Sequence, residues 1–382
     1  MLDNLPLSLY VHIPWCIKKC PYCDFNSHTH TGKIPESEYI QALIQDFESH
    51  LKDISNRPIE SIFFGGGTPS LFSGESYDRL LSAIDKMCPL PQNLEITLEA
   101  NPGASDVKKF TSYRNAGINR LSIGVQSFND AALKSLGRIH NRDAAHHAIL
   151  AAREANFDNF NLDIMFGLPN QTINEALNDL EQAIVYQPEH LSWYQLTIEP
   201  NTAFHTHPPK LPNDDLTWDM CQQGQIKLAS KGYQHYEVSA FSLNRRAKHN
   251  LNYWLFGDYI GIGTGAHSKI TNIQTQLVTR CQKWQSPKRY LNPAHAYISK
   301  QEIVTKEALP FEYMLNALRL TEGTLLKNFA LRTGLKLDDI APQLETAYRS
   351  KWLERDPTWL KTTPLGKQFL NNLILLFLEH HD

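Results

Sequence analysis

One pattern recurs through the first half of the chain: a short apolar, β-branched run followed by a helical periodicity. The runs cover residues 7–13, 59–64, 94–99, 120–125, 159–165 and 190–197 and read as strands. Between the first two, Ile40, Leu43, Ile44, Phe47, Leu51 and Ile54 share one helical face, with Pro35 near its start. Helical patterns at 77–87, 106–116, 129–136, 143–155 and 174–186 supply the later connections, with Asp143 and Asn174 as expected N-caps and Gly117 and Gly137 as expected left-handed C-terminal residues. Strand–helix units in series call for parallel strands covered by helices, as a doubly wound sheet or an open or closed β/α barrel.

The pattern then changes. A proline-rich stretch, 201–213, reads as a loop over one end of the sheet, followed by a helix at 216–230 and a glycine-rich stretch at 257–268. A looser segment to about Pro310 reads as a linker. The remainder suggests three helices and a short hairpin, a small winged-helix-like unit. Its DNA-binding reading fails on charge, because residues 310–382 hold nine basic and nine acidic side chains. The whole chain, at 382 residues and net charge −3, has no global basic field for nucleic acid. Its longest apolar run, 373–378, is six residues, far short of the ~20 that span a bilayer. With Asp3 and no cationic stretch before an apolar one, the N-terminus is not expected to be a signal peptide. A cytoplasmic protein with no integral membrane segment is expected.

Three of six cysteines fall within eight residues: Cys16, Cys20 and Cys23. Thiolates at that spacing can converge on one small object. A zinc ion with His12 or His28 as fourth ligand is one reading. A 4Fe–4S cluster on three cysteines, with one iron left open, is the other. The run 59–64 leads into Gly65-Gly66-Gly67-Thr68, where backbone amides lie exposed to a close ligand. Glu99, Gln126 and Asp163 stand at or near the ends of later strands, the ligand-binding edge of parallel β/α folds.

Cys16-x3-Cys20-x2-Cys23, with Tyr22 before the last cysteine, resembles the signature of the radical S-adenosylmethionine (SAM) superfamily. The stretches 9–16, 64–70, 124–129 and 162–169 resemble the HemN/HemW family within it. That resemblance implies an α/β fold: a partial (β/α)6 barrel over residues 1–240, a glycine-rich segment and linker over 241–300, and a small helical winged-helix-like domain over 301–382. It implies that Cys16, Cys20 and Cys23 hold a 4Fe–4S cluster whose fourth iron is chelated by SAM. Gly66, Gly67 and Thr68 match the motif that cradles the methionine end. Tyr10, Glu99, Gln126, Arg138 and Asp163 match positions that contact SAM, and Tyr22 matches an aromatic near the adenine. The plain alternatives are an exposed helix-end cation for Arg138 and a core aromatic for Tyr10.

The family contains an oxygen-independent coproporphyrinogen III dehydrogenase and a heme chaperone. The dehydrogenase carries a fourth cysteine where this chain has Phe25, and an extension ahead of the first strand that is absent here. Both departures match the chaperone branch, as does His249-Asn250-x-x-Tyr253-Trp254. The expected function is heme binding and delivery to acceptor hemoproteins such as respiratory-chain components, with His249 as the leading iron ligand. A core histidine with aromatic packing is the plain alternative for His249. The enzymatic alternative is radical decarboxylation of coproporphyrinogen III in porphyrin biosynthesis, and a zinc-stabilised β/α binding protein is a third. Homodimer formation is left open.

Overall fold

The computed structural model describes residues 5–378 apart from 31, 56 and 105. Strands β1 (Leu7–Ile13), β2 (Ile59–Gly66), β3 (Glu95–Ala100), β4 (Arg120–Gln126), β5 (Phe160–Phe166) and β6 (His190–Gln195) lie side by side in sequence order, all parallel. The first five are largely buried, as strands covered by helices must be, while β6 opens toward its carboxyl end. The covering helices are α1 (Glu36–Ser49), α2 (Gly74–Met87), α3 (Val107–Asn115), α4 (Asp130–Ser135), α5 (Arg142–Glu154) and α6 (Ile173–Val185). Tyr39, Ile40, Leu43 and Phe47 on α1 turn inward at helical spacing, which is why this helix docks on the sheet.

The caps depart from expectation. Asn141 and Thr172, rather than Asp143 and Asn174, cap α5 and α6. Thr172 forms a reciprocal capping box with Glu175, which satisfies two orphan amides at once. Gly117 and Gly137 do sit in the left-handed region, at φ +100° and +67°.

The segment expected to be a linker is built into the sheet. After α7 (Asp214–Ser230), the pair β7 (Gln234–Glu237) and β8 (Ala240–Ser242) adds antiparallel to β6. Helix α8 (Lys248–Trp254) leads to β9 (Asp258–Ile262), which pairs parallel with β1. Strands β10 (His267–Thr271), β11 (Val278–Lys283) and β12 (Ile298–Ile303) continue antiparallel from it. The described sheet has twelve strands and stays open: β12 and β7 are its two edges. Edge β12 is exposed and carries Lys300, Gln301 and Glu302, a polar edge that resists pairing with other chains.

Residues 309–378 form short helices, from Leu309–Ala317 to Leu370–Leu375, with a two-residue ladder of Thr324–Leu325 on Trp359–Leu360. Their apolar cluster includes Tyr313, Met314, Phe329 and Leu373 and also takes in Phe256 and Val278. Leu320 bridges Glu237 and Thr321 donates to the Tyr236 carbonyl, so this unit covers edge β7.

Candidate functional site

The carboxyl ends of the parallel strands converge on one rim. Beyond β1, the cysteine loop is stitched to the glycine turn after β2: the Gly67 amide donates to the Ile13 carbonyl at 2.7 Å and the Thr68 amide to Trp15 at 2.8 Å. Trp15 anchors the loop in the core, stacked on Phe72 and edge-on to Tyr39. Gly66 sits at φ +113°, where other residues are strained, and a Cβ on Gly67 would lie 2.7 Å from the Trp15 carbonyl oxygen. The glycines are therefore demanded by the close approach of two backbones.

A cavity of about 420 Å³ opens at this rim, lined by Cys16, Cys20, Tyr22, Cys23, Gly66, Gly67, Thr68, Glu99, Gln126, Arg138 and Asp163. Every residue expected at the cluster or at SAM is there except Tyr10. Thr68 Oγ1 donates to Cys16 Sγ at 3.4 Å and Arg138 Nη1 to Cys20 Sγ at 3.5 Å, contacts that favour thiolates. Burial opposes them and pushes the Cys16 and Cys23 thiols up. Arg138 is delivered by Gly137, the left-handed residue ending α4, and its Nη2 donates to the Gly124 carbonyl at 3.0 Å.

The carboxylates of the cavity are poised rather than paired off. Glu99 accepts from the Gly66 amide at 3.2 Å. Burial, followed by the nearby Asp163 charge, pushes it up to about 8. Burial also raises Asp163, against hydrogen bonds from Ser122 and Asn161. Gln126 is held at φ +64°, and its Oε1 is buried without a partner. A strained residue with an unused acceptor beside two buried carboxyls that form no ion pair suits a ligand that brings hydrogen-bond donors and positive charge. The SAM ammonium and ribose are of that kind. Three thiols, a backbone cradle and these acceptors thus fit a cluster with SAM on its open iron.

The zinc reading finds less support. Among the described residues no three His, Cys, Asp or Glu side chains converge to hold a single metal ion. Both ring nitrogens of His12 are engaged, with Tyr10 Oη at 2.9 Å and the Asn26 carbonyl at 2.8 Å. Burial holds His12 down at about 4. His28 Nε2 is taken by Asn26 and Gln285.

Tyr10 faces a second, larger cavity of about 1090 Å³, which shares Gly66 and Glu99 with the first. Its walls include Phe63, Tyr253, Trp254, Tyr259, His267 and Arg280. His249 lines neither cavity. One helical turn before Tyr253, it packs its ring 4.1 Å from that of Phe63 and edge-on to Tyr253, with Nδ1 3.4 Å from Glu95 Oε1. Although burial opposes ionisation, the His249 hydrogen bond and the Arg120 charge hold Glu95 at about 2. Burial keeps His249 below the ordinary imidazole range. The helix face that docks on β2 carries His249 behind the aromatic wall instead of through it. Sequence reasoning assigned no role to Phe63, Tyr259, His267 or Arg280, although Tyr259 and His267 lie in the glycine-rich 257–268 and Phe63 in the strand run 59–64.

The chain matches the Radical SAM superfamily over residues 10–183 and the HemN C-terminal domain over 304–369. It is 50% identical over 378 residues to heme chaperone HemW of Haemophilus influenzae, covering 98% of each chain. To heme chaperone HemW of Escherichia coli it is 47% identical, over 99% of this chain and 100% of the relative. The solved coproporphyrinogen III oxidase (HemN) of Escherichia coli superposes with a TM-score of 0.83 at 22% identity, over 98% of this chain and 90% of that one. That likeness establishes the fold. An open mixed sheet with a parallel centre, a three-cysteine loop on its rim and full-length identity near one half make this chain a member of the HemW family of the radical SAM superfamily.

Proposed function

We propose that this protein binds heme and delivers it to acceptor hemoproteins, respiratory-chain components among them, from a scaffold that carries a 4Fe–4S cluster and SAM. The observation that carries the reading is the pair of adjoining cavities. One is lined by three thiols and charged groups, the other by aromatic faces with both cations and carboxylates, and they meet along Lys19, Phe25, Gly66, Glu99 and Glu199. Flat walls suit a porphyrin and cations suit its carboxylates. The relatives named as heme chaperones support the same reading.

In this reading Cys16, Cys20 and Cys23 hold the cluster, and Gly66, Gly67, Thr68, Tyr22, Glu99, Gln126, Arg138 and Asp163 hold SAM. When bound, the cluster supplies an iron corner open to the SAM amino and carboxylate groups. Arg138 and Thr68 steady the thiolates, and Glu99 gives up its proton as a cation arrives. Tyr10 joins the heme wall, and His249 backs that wall through Phe63 and Tyr253. Residues 1–240 do the cluster and SAM work and give Tyr10 and Phe63 to the heme wall, 241–300 furnish most of the rest of it, and 301–382 support it. Action in the cytoplasm belongs to the same proposal. Among the described residues no helix is long and apolar enough to cross a membrane.

Heme titration of the reconstituted protein, followed by mixing with an acceptor hemoprotein stripped of heme, tests the reading. Binding of one heme per chain and transfer to the acceptor are expected, with no protoporphyrinogen formed from coproporphyrinogen III under reducing conditions with SAM. Sustained turnover of coproporphyrinogen III would replace the chaperone reading with the enzymatic one.

A further inference from the structure

Three imidazoles border the larger cavity: His12, His28 and His267. Two are committed. His12 is bonded at both ring nitrogens, and His28 Nε2 is shared by a side chain and a backbone carbonyl. His267 is exposed to the cavity, and among the described residues no hydrogen bond reaches its ring.

The backbone beneath His267 is fixed with unusual care. A Cβ on Gly261 would lie 2.0 Å from the His267 carbonyl oxygen, so only glycine lets β9 approach there. Gly263 at φ +98° and Gly265 at φ +74° would clash with the His12 backbone and the Asn26 side chain if substituted. The Gly263 amide donates to both the buried Asp46 carboxylate and Tyr290 Oη, each at 3.1 Å, and Lys283 pairs with that same carboxylate. The Lys283 amide donates to the Ala266 carbonyl at 2.9 Å. A turn this strongly determined presents a single free imidazole, which is what a preorganised metal ligand needs.

On the same face of the sheet, Tyr259 stands opposite Lys269, and Lys269 opposite Arg280. His267 lies two residues from Lys269, hence on that face. Phe63, Tyr253 and Trp254 wall the cavity elsewhere; Lys19 and Arg280 bring positive charge to it, Arg280 held by Glu312 and Tyr259 Oη, while Asp24, Glu99 and Glu199 also line it.

We propose that His267, not His249, is the imidazole that ligates the heme iron, with the porphyrin lying against Tyr253, Trp254 and Tyr259 and its carboxylates toward Lys19 and Arg280. This rests on the heme-binding reading above. The neutral imidazole is a common axial ligand of heme iron, and His249 is screened from the cavity by Phe63 and Tyr253.

The test is a titration of the full chain with ferric heme, read by Soret absorption and by electron paramagnetic resonance of the ferric iron. His267→Ala is expected to weaken heme binding at least about tenfold and to abolish the histidine-ligated signature. Added imidazole is expected to restore that signature in heme that still comigrates with the protein on gel filtration, which neither a misfolded variant nor free heme–imidazole would show. His249→Ala is expected to keep the signature, with binding weakened through the loosened wall. A His267→Ala variant with unchanged affinity and spectrum, or loss of the signature in His249→Ala alone, overturns the assignment. Wild-type protein that takes up no heme would instead overturn the functional reading beneath it.

Discussion

Glu99 offers the sharpest thermodynamic handle on the site. Its carboxyl lies at the end of β3, accepts a single amide from Gly66, and is pushed up to about 8 from an ordinary 4.5 by burial and by Asp163. The native state therefore holds this proton more tightly than the unfolded chain does. Stability from this group is complete below pH 4.5 and is lost as pH rises to about 8. A rise from 4.5 to about 8 corresponds to about 5 kcal/mol; water and side-chain relaxation reduce the expected loss to about 2–5 kcal/mol. Glu99→Gln keeps the shape and cannot ionise. Urea unfolding of wild type and variant without SAM, at intervals from pH 5 to 8.5, is expected to show the variant gaining on wild type by that amount. Parallel curves over the whole range would refute the reasoning, because they would mean that Glu99 ionises in the cavity as it does in water. A carboxyl held neutral in the free protein also binds a cationic ligand with release of a proton, so SAM binding should release a proton that Glu99→Gln does not.

Gly67→Ala places a Cβ against the backbone of residues 13–15; a loss of about 1–3 kcal/mol is expected, together with lower iron and sulfide content, and normal cluster loading would contradict the cradle. Arg138→Ala removes donors to the Gly124 carbonyl and Cys20, and equilibrium binding of SAM should weaken by roughly tenfold or more, at about 1.5–3 kcal/mol for a charged hydrogen bond. Thr172→Ala breaks the capping box of α6 and should cost about 1 kcal/mol in urea unfolding with no change in iron content; a change in iron content would mean that the helix contributes to the site.

Much of the fold was legible because the six parallel strands are largely buried on both faces and so read as apolar runs; observed ends differ by a few residues at most. The segment after residue 257 was not legible. Strand β9 is preceded by Gly257, packed against the Asn252 side chain, and contains Gly261, required by close backbone approach, and glycine ordinarily signals a turn. Edge strand β12 is polar because it is exposed, which hides its strand character. The caps of α5 and α6 were misplaced because several capping-competent residues stand in a row, although Thr172 three before Glu175 carried the right signal. At the site, the cysteines, the glycine turn, Glu99, Gln126, Arg138 and Asp163 share one cavity because consecutive parallel strands bring their carboxyl ends to one rim. Tyr10 and His249 were harder to place, since which way a strand or a short helix turns its side chains depends on what it packs against. Tyr10 stacks on Phe63 and points to the larger cavity; His249 lies behind that same ring.

The central claim is a cube of iron and sulfide on Cys16, Cys20 and Cys23 with one corner free for SAM. Anaerobic reconstitution, metal and acid-labile sulfide analysis, and paramagnetic resonance of the reduced protein before and after adding SAM test it directly. The account predicts about four irons and four sulfides per chain, a signal that shifts when SAM is added, and loss of both in Cys16→Ala but not in Cys221→Ala. Stoichiometric zinc without sulfide, or a cluster signal indifferent to SAM, would contradict it.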